Sequence, residues 1–172
     1  MKQRMEKDSI GEILVDSDKL WGAQTQRSFE NFKIGTEKMP IEIIRAITII
    51  KRAAAAVNFR MGNMSEEISQ SVTEACDKIL AGGLDDQFPL SVWQTGSGTQ
   101  TNMNVNEVIS HLTEGRAHPN DHVNMSQSSN DVFPSAIHIA CVIEAEDRLL
   151  PEIKALADTF GELSDRYRQV IK

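Results

Sequence analysis

The chain has 172 residues, of which 40% are hydrophobic, so it can bury a core, and a mainly disordered chain is excluded. Eighteen basic and 25 acidic residues give a formal net charge of -7, which argues against binding to nucleic acid or to an anionic membrane. No apolar run approaches the roughly 20 residues of a membrane span. The first eight residues also lack the apolar stretch of a signal peptide, so we expect a cytoplasmic protein.

The residue composition favours a mainly α fold, because aromatic residues make up only 5% of the chain while Ile, Ala, Met and Glu are abundant. Residues 1–36 have no long periodic pattern. Residues 10–15 could form a short strand, and the pattern does not decide the structure of the polar segment 21–27. Cys76 and Cys141 lie among apolar residues of helical patterns, which indicates small buried side chains rather than a disulfide.

Two amphipathic helices are predicted between Pro40 and Gly83. In the first, apolar residues recur at spacings of three and four, and Gly62 ends the pattern. The second begins after Ser65, a typical N-cap residue, and closes at Gly82 and Gly83. We expect the two helices to pair across the short turn. The apolar face predicted for the first helix comprises Ile43, Ile44, Ile47, Ile50, Ala54, Val57 and Met61.

Residues 84–134 are dense in Gly, Ser, Thr, Asn and Gln and predict a loop, a short helix carrying residues 105–112, and a second loop. The polar cluster at residues 94–102 contains Gly96 and Gly98, so its backbone can approach a ligand, and its N–H groups and hydroxyls could surround a carboxylate or phosphate. A polar turn that caps a helix is the alternative. A nucleotide-binding P-loop is disfavoured, because the Lys-Ser/Thr pair after the second glycine is missing.

A second polar cluster runs from His118 to His122 and on through residues 126–131, just before a predicted helix that has Pro134 near its start. Hydroxyls and amides at a helix N-terminus favour anions, and the alternative is that Ser129, Asn130 or Asp131 caps the helix, which need not exclude binding. A metal site at His118 and His122 is disfavoured, because the intervening residues predict a turn rather than a helix. His111 and His138 lie in helical patterns and are expected to be surface or packing residues.

Both polar clusters are poor in positive charge, because Arg116 is the only Lys or Arg between Lys78 and Arg148. A desolvated dianion usually needs a cation beside it, since burying an unpaired charge is costly. If these clusters bind an acidic ligand, the balancing cation must come from elsewhere. The spacing of residues also suggests no catalytic base among them.

From Pro134 the chain is predicted to be helical to its end, with a break near Pro151. The last part carries an apolar seam with alternating spacings of four and three, which is typical of a helix packed against near-parallel partners. Either this helix assembles with copies from other chains, or the chain is the front part of a longer protein. The residues of this C-terminal seam are Leu149, Ile153, Leu156, Phe160, Leu163, Tyr167 and Val170.

Three segments together resemble class II fumarate hydratases. They are TGSGTQTNMNVNEVI at residues 95–109, HPNDHVNMSQSSNDVFP at residues 118–134 and WGAQTQR at residues 21–27. The resemblance covers nearly the whole chain. The sister aspartate ammonia-lyases share this layout, but they typically carry Ala in place of Ser97 and Thr in place of Ser129, and they are the alternative.

The resemblance implies reversible hydration of fumarate to L-malate by a homotetramer of the tricarboxylic acid cycle that needs neither a metal nor a cofactor. It implies an N-terminal domain of helices and short strands over residues 1–133, followed by the first long helix of a central helical bundle over residues 134–172. Three groups of residues carry expected roles. Substrate carboxylates would be held by the Ser97 motif (Ser97, Gly98 and Thr99) and the Ser128 motif (Ser128, Ser129 and Asn130), and a second dicarboxylate site by the His118 segment (His118, Pro119, Asn120 and Asp121).

The sequence also departs from the family pattern. Gly115 stands where family members have an Arg that contributes to the second site, and the stretch 110–117 is about ten residues shorter than usual, as judged from the family's general pattern. The family's proton relay, serine base and substrate-binding lysine lie in a Gly-Arg-Thr-His segment and a G-S-S-I-M-P-G-K-x-N-P loop. Neither segment occurs in these 172 residues, so no catalytic residue is assigned here and we expect the chain alone to be inactive. A non-catalytic helical assembly is a further alternative.

Overall fold

The computed structural model describes residues 2–171, which form a mainly helical fold, as predicted. Two strands, β1 (Gln3–Lys7) and β2 (Glu12–Asp16), come first. Six α-helices follow: α1 (Ala23–Asn31), α2 (Ile41–Arg60), α3 (Glu66–Leu80), α4 (Thr99–Leu112), α5 (Ser129–Glu144) and α6 (Leu150–Arg166). A 3-10 turn (Asp85–Gln87) and two π-helical turns (Pro119–Val123 and Ala145–Leu149) connect parts of this series. No helix among the described residues is long and apolar enough to cross a membrane.

The strands β1 and β2 form an antiparallel hairpin in which Met5 lies opposite Leu14. The Asp8 carboxylate accepts from the backbone N–H of Gly11 (3.1 Å) and pairs with the guanidinium of Arg27 (3.0 Å). The bond from Arg27 lowers the pKa of Asp8. The strand predicted at residues 10–15 is therefore confirmed with its start shifted to Glu12, whereas β1 was not predicted, because its sequence QRMEK offers a single apolar residue and so no alternation.

The helices α2 and α3 pack against each other, as predicted, and Ser65 caps α3 by accepting from the N–H of Ile68 (3.3 Å). The predicted buried face of α2 is partly wrong. Val57 and Met61 are 41% and 68% exposed, whereas Lys51 and Asn58 are buried at 0% and 3%. The helix is thus rotated so that two polar side chains enter the interior.

The helix α4 begins at Thr99, six residues before the short helix that was predicted, and it runs through the centre of the fold. Nine consecutive residues, 101–109, are buried on every side. Among them, Val105, Val108 and Ile109 belong to the same core cluster as residues of α2, α3 and α5. A helix buried all round must bury its polar residues too, and these need partners.

The helix α5 begins at Ser129, five residues before Pro134, which lies inside it. The predicted break near Pro151 corresponds to the π-helical turn Ala145–Leu149. All C-terminal seam residues are exposed, from 39% for Leu163 to 65% for Val170, so α2 and α3 do not cover them. The domain boundary expected between residues 133 and 134 falls within α5 and stays a prediction.

The two cysteines differ in their environment. Cys76 is fully buried in the core, as predicted, but Cys141 is exposed on α5, so the prediction of a buried residue was wrong there. Burial raises the pKa of the Cys76 thiol to about 12. The thiol is therefore neutral at physiological pH and packs as a small apolar group.

Candidate functional site: two hydroxyl-rich helix N-termini

The Ser97 motif forms the turn that leads into α4. Gly98 is the N-cap residue of this helix and has φ +69°, a left-handed conformation that favours glycine. A Cβ atom at this position would overlap the ring of Phe133, near the start of α5. Glycine is therefore required here both for the backbone conformation and for the close approach of the two segments.

Two glutamine side chains hold the loop in front of α4. Gln94 accepts from the N–H of Thr101 (2.9 Å) and donates to its hydroxyl (2.8 Å). Gln100 Oε1 accepts from both the N–H (3.1 Å) and the hydroxyl (2.8 Å) of Thr95. These bonds fix the loop conformation without using the hydroxyls of Ser97 and Thr99.

The Ser128 motif occupies the start of α5. Ser128 is the N-cap residue, and its hydroxyl oxygen accepts from the N–H of Asn130 (3.2 Å). Capping by Ser129, Asn130 or Asp131 was the alternative interpretation of this cluster; a cap is present, but Ser128 forms it instead. The hydroxyl of Ser129 is not used in this cap.

The fold brings the two motifs together through their hydroxyls. The Oγ atom of Ser97 lies 2.9 Å from Oγ1 of Thr99, which lies 3.1 Å from Oγ of Ser129. Each hydroxyl can rotate to donate to a ligand instead of to its neighbour. The positive ends of two helix dipoles, those of α4 and α5, meet at this partly exposed row. The arrangement suits a small anion such as a carboxylate.

A buried layer of polar side chains, which the sequence did not predict, lies below the hydroxyl row. The amine of Lys51 donates to Oδ1 of Asn124 (2.8 Å), which also accepts from the amides of Asn102 (3.1 Å) and Asn106 (3.3 Å). Desolvation lowers the pKa of Lys51 to about 7. Lys51 thus brings an amine from outside residues 79–147 to Asn124, whereas the cation expected beside the substrate stays a prediction. The signal in the sequence is the seven-residue spacing of Ile44, Lys51 and Asn58, which places them on one helix face.

Glu107 explains the conformation of the polar segment 21–27, for which the sequence made no prediction. Its buried carboxylate accepts from the backbone N–H groups of Gly22 (3.0 Å), Gln24 (2.9 Å) and Thr25 (3.0 Å), which lie at the start of α1. Burial raises the pKa of Glu107, while these hydrogen bonds oppose the shift. The carboxylate thereby caps α1 from the centre of the fold.

The His118 segment is held by its own local bonds rather than by either motif. His118 caps the π-helical turn Pro119–Val123 by accepting from the N–H of Asp121 at Nδ1 (3.2 Å). His118 and Pro119 border a cleft of about 430 Å³ that is also lined by Glu6, Glu107, Glu114 and His111. Desolvation lowers the pKa of His111. Three glutamates and one lysine, Lys7, line the cleft, so it is acidic on balance. The Arg116 guanidinium donates to the carbonyl of Thr113 (3.0 Å).

Within residues 2–171, no three His, Cys, Asp or Glu side chains come close enough together to form a metal site. The groups that the hydroxyl row itself offers are neutral donors. Hydroxyls, backbone N–H groups and helix dipoles can orient a carboxylate. They do not supply a strong base.

The chain belongs to the lyase family, whose model matches residues 11–172. Within that family, the chain is similar to class II fumarate hydratases. The enzyme of Bacillus cereus is 52% identical over 181 aligned positions, and that of Helicobacter pylori strain 26695 is 53% identical over 182. Each alignment covers 100% of this chain and 39% of the relative. The class II fumarase of Schistosoma mansoni superposes with a TM-score of 0.89 at 42% identity, covering 91% of this chain and 35% of that one.

The resemblance to class II fumarate hydratases is confirmed by these comparisons. The chain spans about two fifths of the length of the curated relatives it matches. The alignment to the Bacillus cereus enzyme has nine more positions than this chain has residues, which fits a segment shorter than usual.

Proposed function

We propose that this chain supplies part of the dicarboxylate-binding site of a fumarate hydratase, in which one substrate carboxylate is held by the Ser97 motif and the Ser128 motif. The observation that carries the proposal is the hydroxyl row of Ser97, Thr99 and Ser129 at the converging N-termini of α4 and α5. Serine at both positions 97 and 129 fits the fumarate hydratases better than the aspartate ammonia-lyases. The relatives named above are also fumarate hydratases.

The reaction adds water across the double bond of fumarate to give malate. In the reverse direction a base removes a proton next to a carboxylate, and an acid assists the loss of water. The negative charge that builds up on that carboxylate needs oriented donors, which the two motifs would provide. The base and the substrate-facing cation would come from residues outside this chain, and we expect no turnover from the 172 residues alone.

Three further properties belong to the proposal. A second dicarboxylate would bind at the His118 segment, although the acidic cleft beside it and Gly115 would weaken that binding. The exposed C-terminal seam supports self-association, and we propose a homotetramer. The enzyme would act in the cytoplasm, in the tricarboxylic acid cycle, without a metal or a cofactor.

The test joins this chain to the part of the Bacillus cereus enzyme that its alignment leaves uncovered. The purified chimera is mixed with malate, and fumarate is followed by its absorbance. We expect turnover by the chimera and none by the 172-residue chain. Deamination of aspartate without hydration of fumarate would instead support the aspartate ammonia-lyase alternative. A folded chimera with neither activity would contradict the proposal, and robust turnover by the short chain would contradict the placement of the base.

Two glycine variants of the chimera test the Ser97 motif directly. Gly98→Ala forces a side chain into the left-handed conformation and against Phe133, so we expect a loss of activity of at least about 100-fold from the displaced donors. Gly96→Ala is the matched control, because a Cβ atom there has no neighbour within 4 Å. Equal activities of the two variants would place substrate binding elsewhere.

A further inference from the structure

Lys51 is the largest of the fully buried side chains of this fold. It lies on α2, on the face that packs against α3, α4 and α5, where an apolar residue would be expected. Desolvating an amine is unfavourable, and replacing a buried polar group by an apolar one of similar size is often neutral or stabilising. The lysine is therefore not explained by its contribution to packing.

The partner of Lys51 connects both substrate-binding motifs. The Asn124 side chain accepts from Lys51 Nζ (2.8 Å) and from Asn102 Nδ2 (3.1 Å), and its own amide donates to the carbonyl of Gln127 (3.3 Å). Asn102 lies three residues after Thr99, one turn below it on α4. Gln127 directly precedes Ser128. The Asn124 side chain thus contacts both Asn102, which follows the Ser97 motif on α4, and Gln127, which precedes the Ser128 motif.

A second side chain of α2 anchors the same loop. Asn58, two helical turns after Lys51, donates to the carbonyl of Met125 (3.2 Å) and accepts from the hydroxyl of Ser126 (3.0 Å). Ser126 has φ +60°, a strained conformation for serine that such bonds can maintain. The loop 124–127 is therefore fastened to α2 at two points immediately before the Ser128 motif.

We propose that Lys51 is a positioning residue for the dicarboxylate site, whose amine holds Asn124 in the orientation that places the Ser128 motif against the Ser97 motif. The assignment of a substrate to these motifs rests on the proposed function, but the positioning itself does not. The bond from Lys51 to Oδ1 of Asn124 (2.8 Å) is shorter than those from Asn102 (3.1 Å) and Asn106 (3.3 Å) to the same oxygen. The Lys51 amine is the donor that fixes the orientation of the shared acceptor.

The test compares two variants of α2 by NMR on the 172-residue chain without any ligand. Lys51→Met keeps the length of the apolar stem and removes the amine. Thr48→Val is the matched control, since Thr48 is equally buried but its hydroxyl bonds only the carbonyl of Ile44 within α2 (2.8 Å). We expect Lys51→Met to shift the backbone amide resonances of residues 97–99 and 128–130. Thr48→Val should leave them in place, even if it lowers the melting temperature as much.

A folded Lys51→Met variant with unshifted resonances in both motifs would overturn the proposal. If that variant does not fold, a pH titration of the unmodified chain followed by NMR tests the proposal instead. Among the charged and titratable groups of the described residues, only the Cys76 thiol of α3 affects the pKa of Lys51 electrostatically. This thiol stays neutral near pH 7. The amides of Thr99 and Ser129 should titrate with the same midpoint as the Lys51 side-chain resonance, and amides that do not respond would refute the inference.

This experiment distinguishes the positioning role from the proposed function. The NMR readout needs no substrate, so it can succeed when the chimera shows no hydration of fumarate. Conversely, the chimera could be active while the resonances of both motifs do not change in Lys51→Met. That result would support the proposed function and contradict the positioning role of the amine.

Discussion

The helices α4 and α6 are similar in length and opposite in what they bury. α4 carries three asparagines and Glu107 within its sequence, yet residues 101–109 are buried without interruption. α6 carries the C-terminal seam of large apolar side chains, yet all of its residues are exposed. Hydrophobicity alone would not distinguish the two helices, since each carries five large apolar residues.

The difference shows that burial in this chain follows the supply of partners. The amide groups of the three buried asparagines of α4 each donate to a partner, such as that of Asn104 to the carbonyl of Gln87 (3.1 Å). The apolar side chains of α6 need only another apolar surface, and residues 2–171 do not provide one. We therefore expect substitutions on α4 to act on folding and substitutions on α6 to act on assembly.

The largest effect is expected from Glu107→Ala. It removes the acceptor of three backbone N–H groups and leaves them unpaired at the buried start of α1. Losing one member of a buried charged network costs about 3–5 kcal/mol of the free energy of unfolding. Urea denaturation followed by circular dichroism measures this loss.

Glu152→Ala on α6 is the control for that measurement. Glu152 is exposed, and surface substitutions change the free energy of unfolding by no more than about 0.5 kcal/mol. Similar losses for the two variants would contradict the distinction between the helices.

A smaller effect is expected from pH, through the buried amine beneath α4. The pKa of Lys51 is about 7 in the folded chain, below its ordinary value of 10.5. Between these values the unfolded chain binds a proton that the folded chain does not, so stability rises with pH across this window. Below pH 7 both states are protonated, and the folded state carries the full cost of the buried charge. The slope is at most about 1.4 kcal/mol per pH unit.

The variant Lys51→Met removes this titration. Its free energy of unfolding should therefore lack the rise between pH 7 and pH 9 that the unmodified chain shows in urea titrations. Above pH 9 the Cys76 thiol, whose pKa burial raises from 9.0 to about 12, lowers the stability of both proteins as pH rises. Parallel pH profiles for the two proteins would mean that the amine is solvated in the folded state.

The sequence could predict the parts of the fold that depend on local signals. The Ser65 cap and the periodicity of α2 and α3 placed two helices within a few residues of their observed ends. The two polar clusters were visible in the sequence, but the Ser97 and Ser128 motifs within them came from the resemblance to class II fumarate hydratases. That Thr99 and Ser129 touch could not be predicted from the residues alone, since 30 residues separate them.

The features that were missed depend on tertiary partners. Polar residues on one side of α2 indicate a solvent-facing side, so Lys51 and Asn58 were not expected inside. Their burial becomes favourable only when the loop 124–126 supplies acceptors and donors to them. The length of α4 was missed for the same reason. Asparagine is more typical of loops than of helix interiors, and the partners of these asparagines are distant in sequence.

The smallest effect on folding, and the clearest effect on assembly, is expected from Leu156→Gln on α6. Leu156 is 55% exposed, so the substitution should leave the free energy of unfolding of the separate chain within about 0.5 kcal/mol of its original value. If the C-terminal seam packs against copies of itself, each contact loses the burial of a leucine, about 1.5–3 kcal/mol. The dissociation constant of self-association should then rise by at least about tenfold.

Lys154→Gln is the matched control, because it lies on the same helix outside the seam and is also exposed. Analytical ultracentrifugation over a range of concentrations should show weaker association for Leu156→Gln and unchanged association for Lys154→Gln. Association that neither variant weakens would place the contact elsewhere on the chain. A chain that stays monomeric at every concentration would mean that copies of this chain do not cover the apolar face of α6. The contrast with α4 would then require a partner surface of a different sequence.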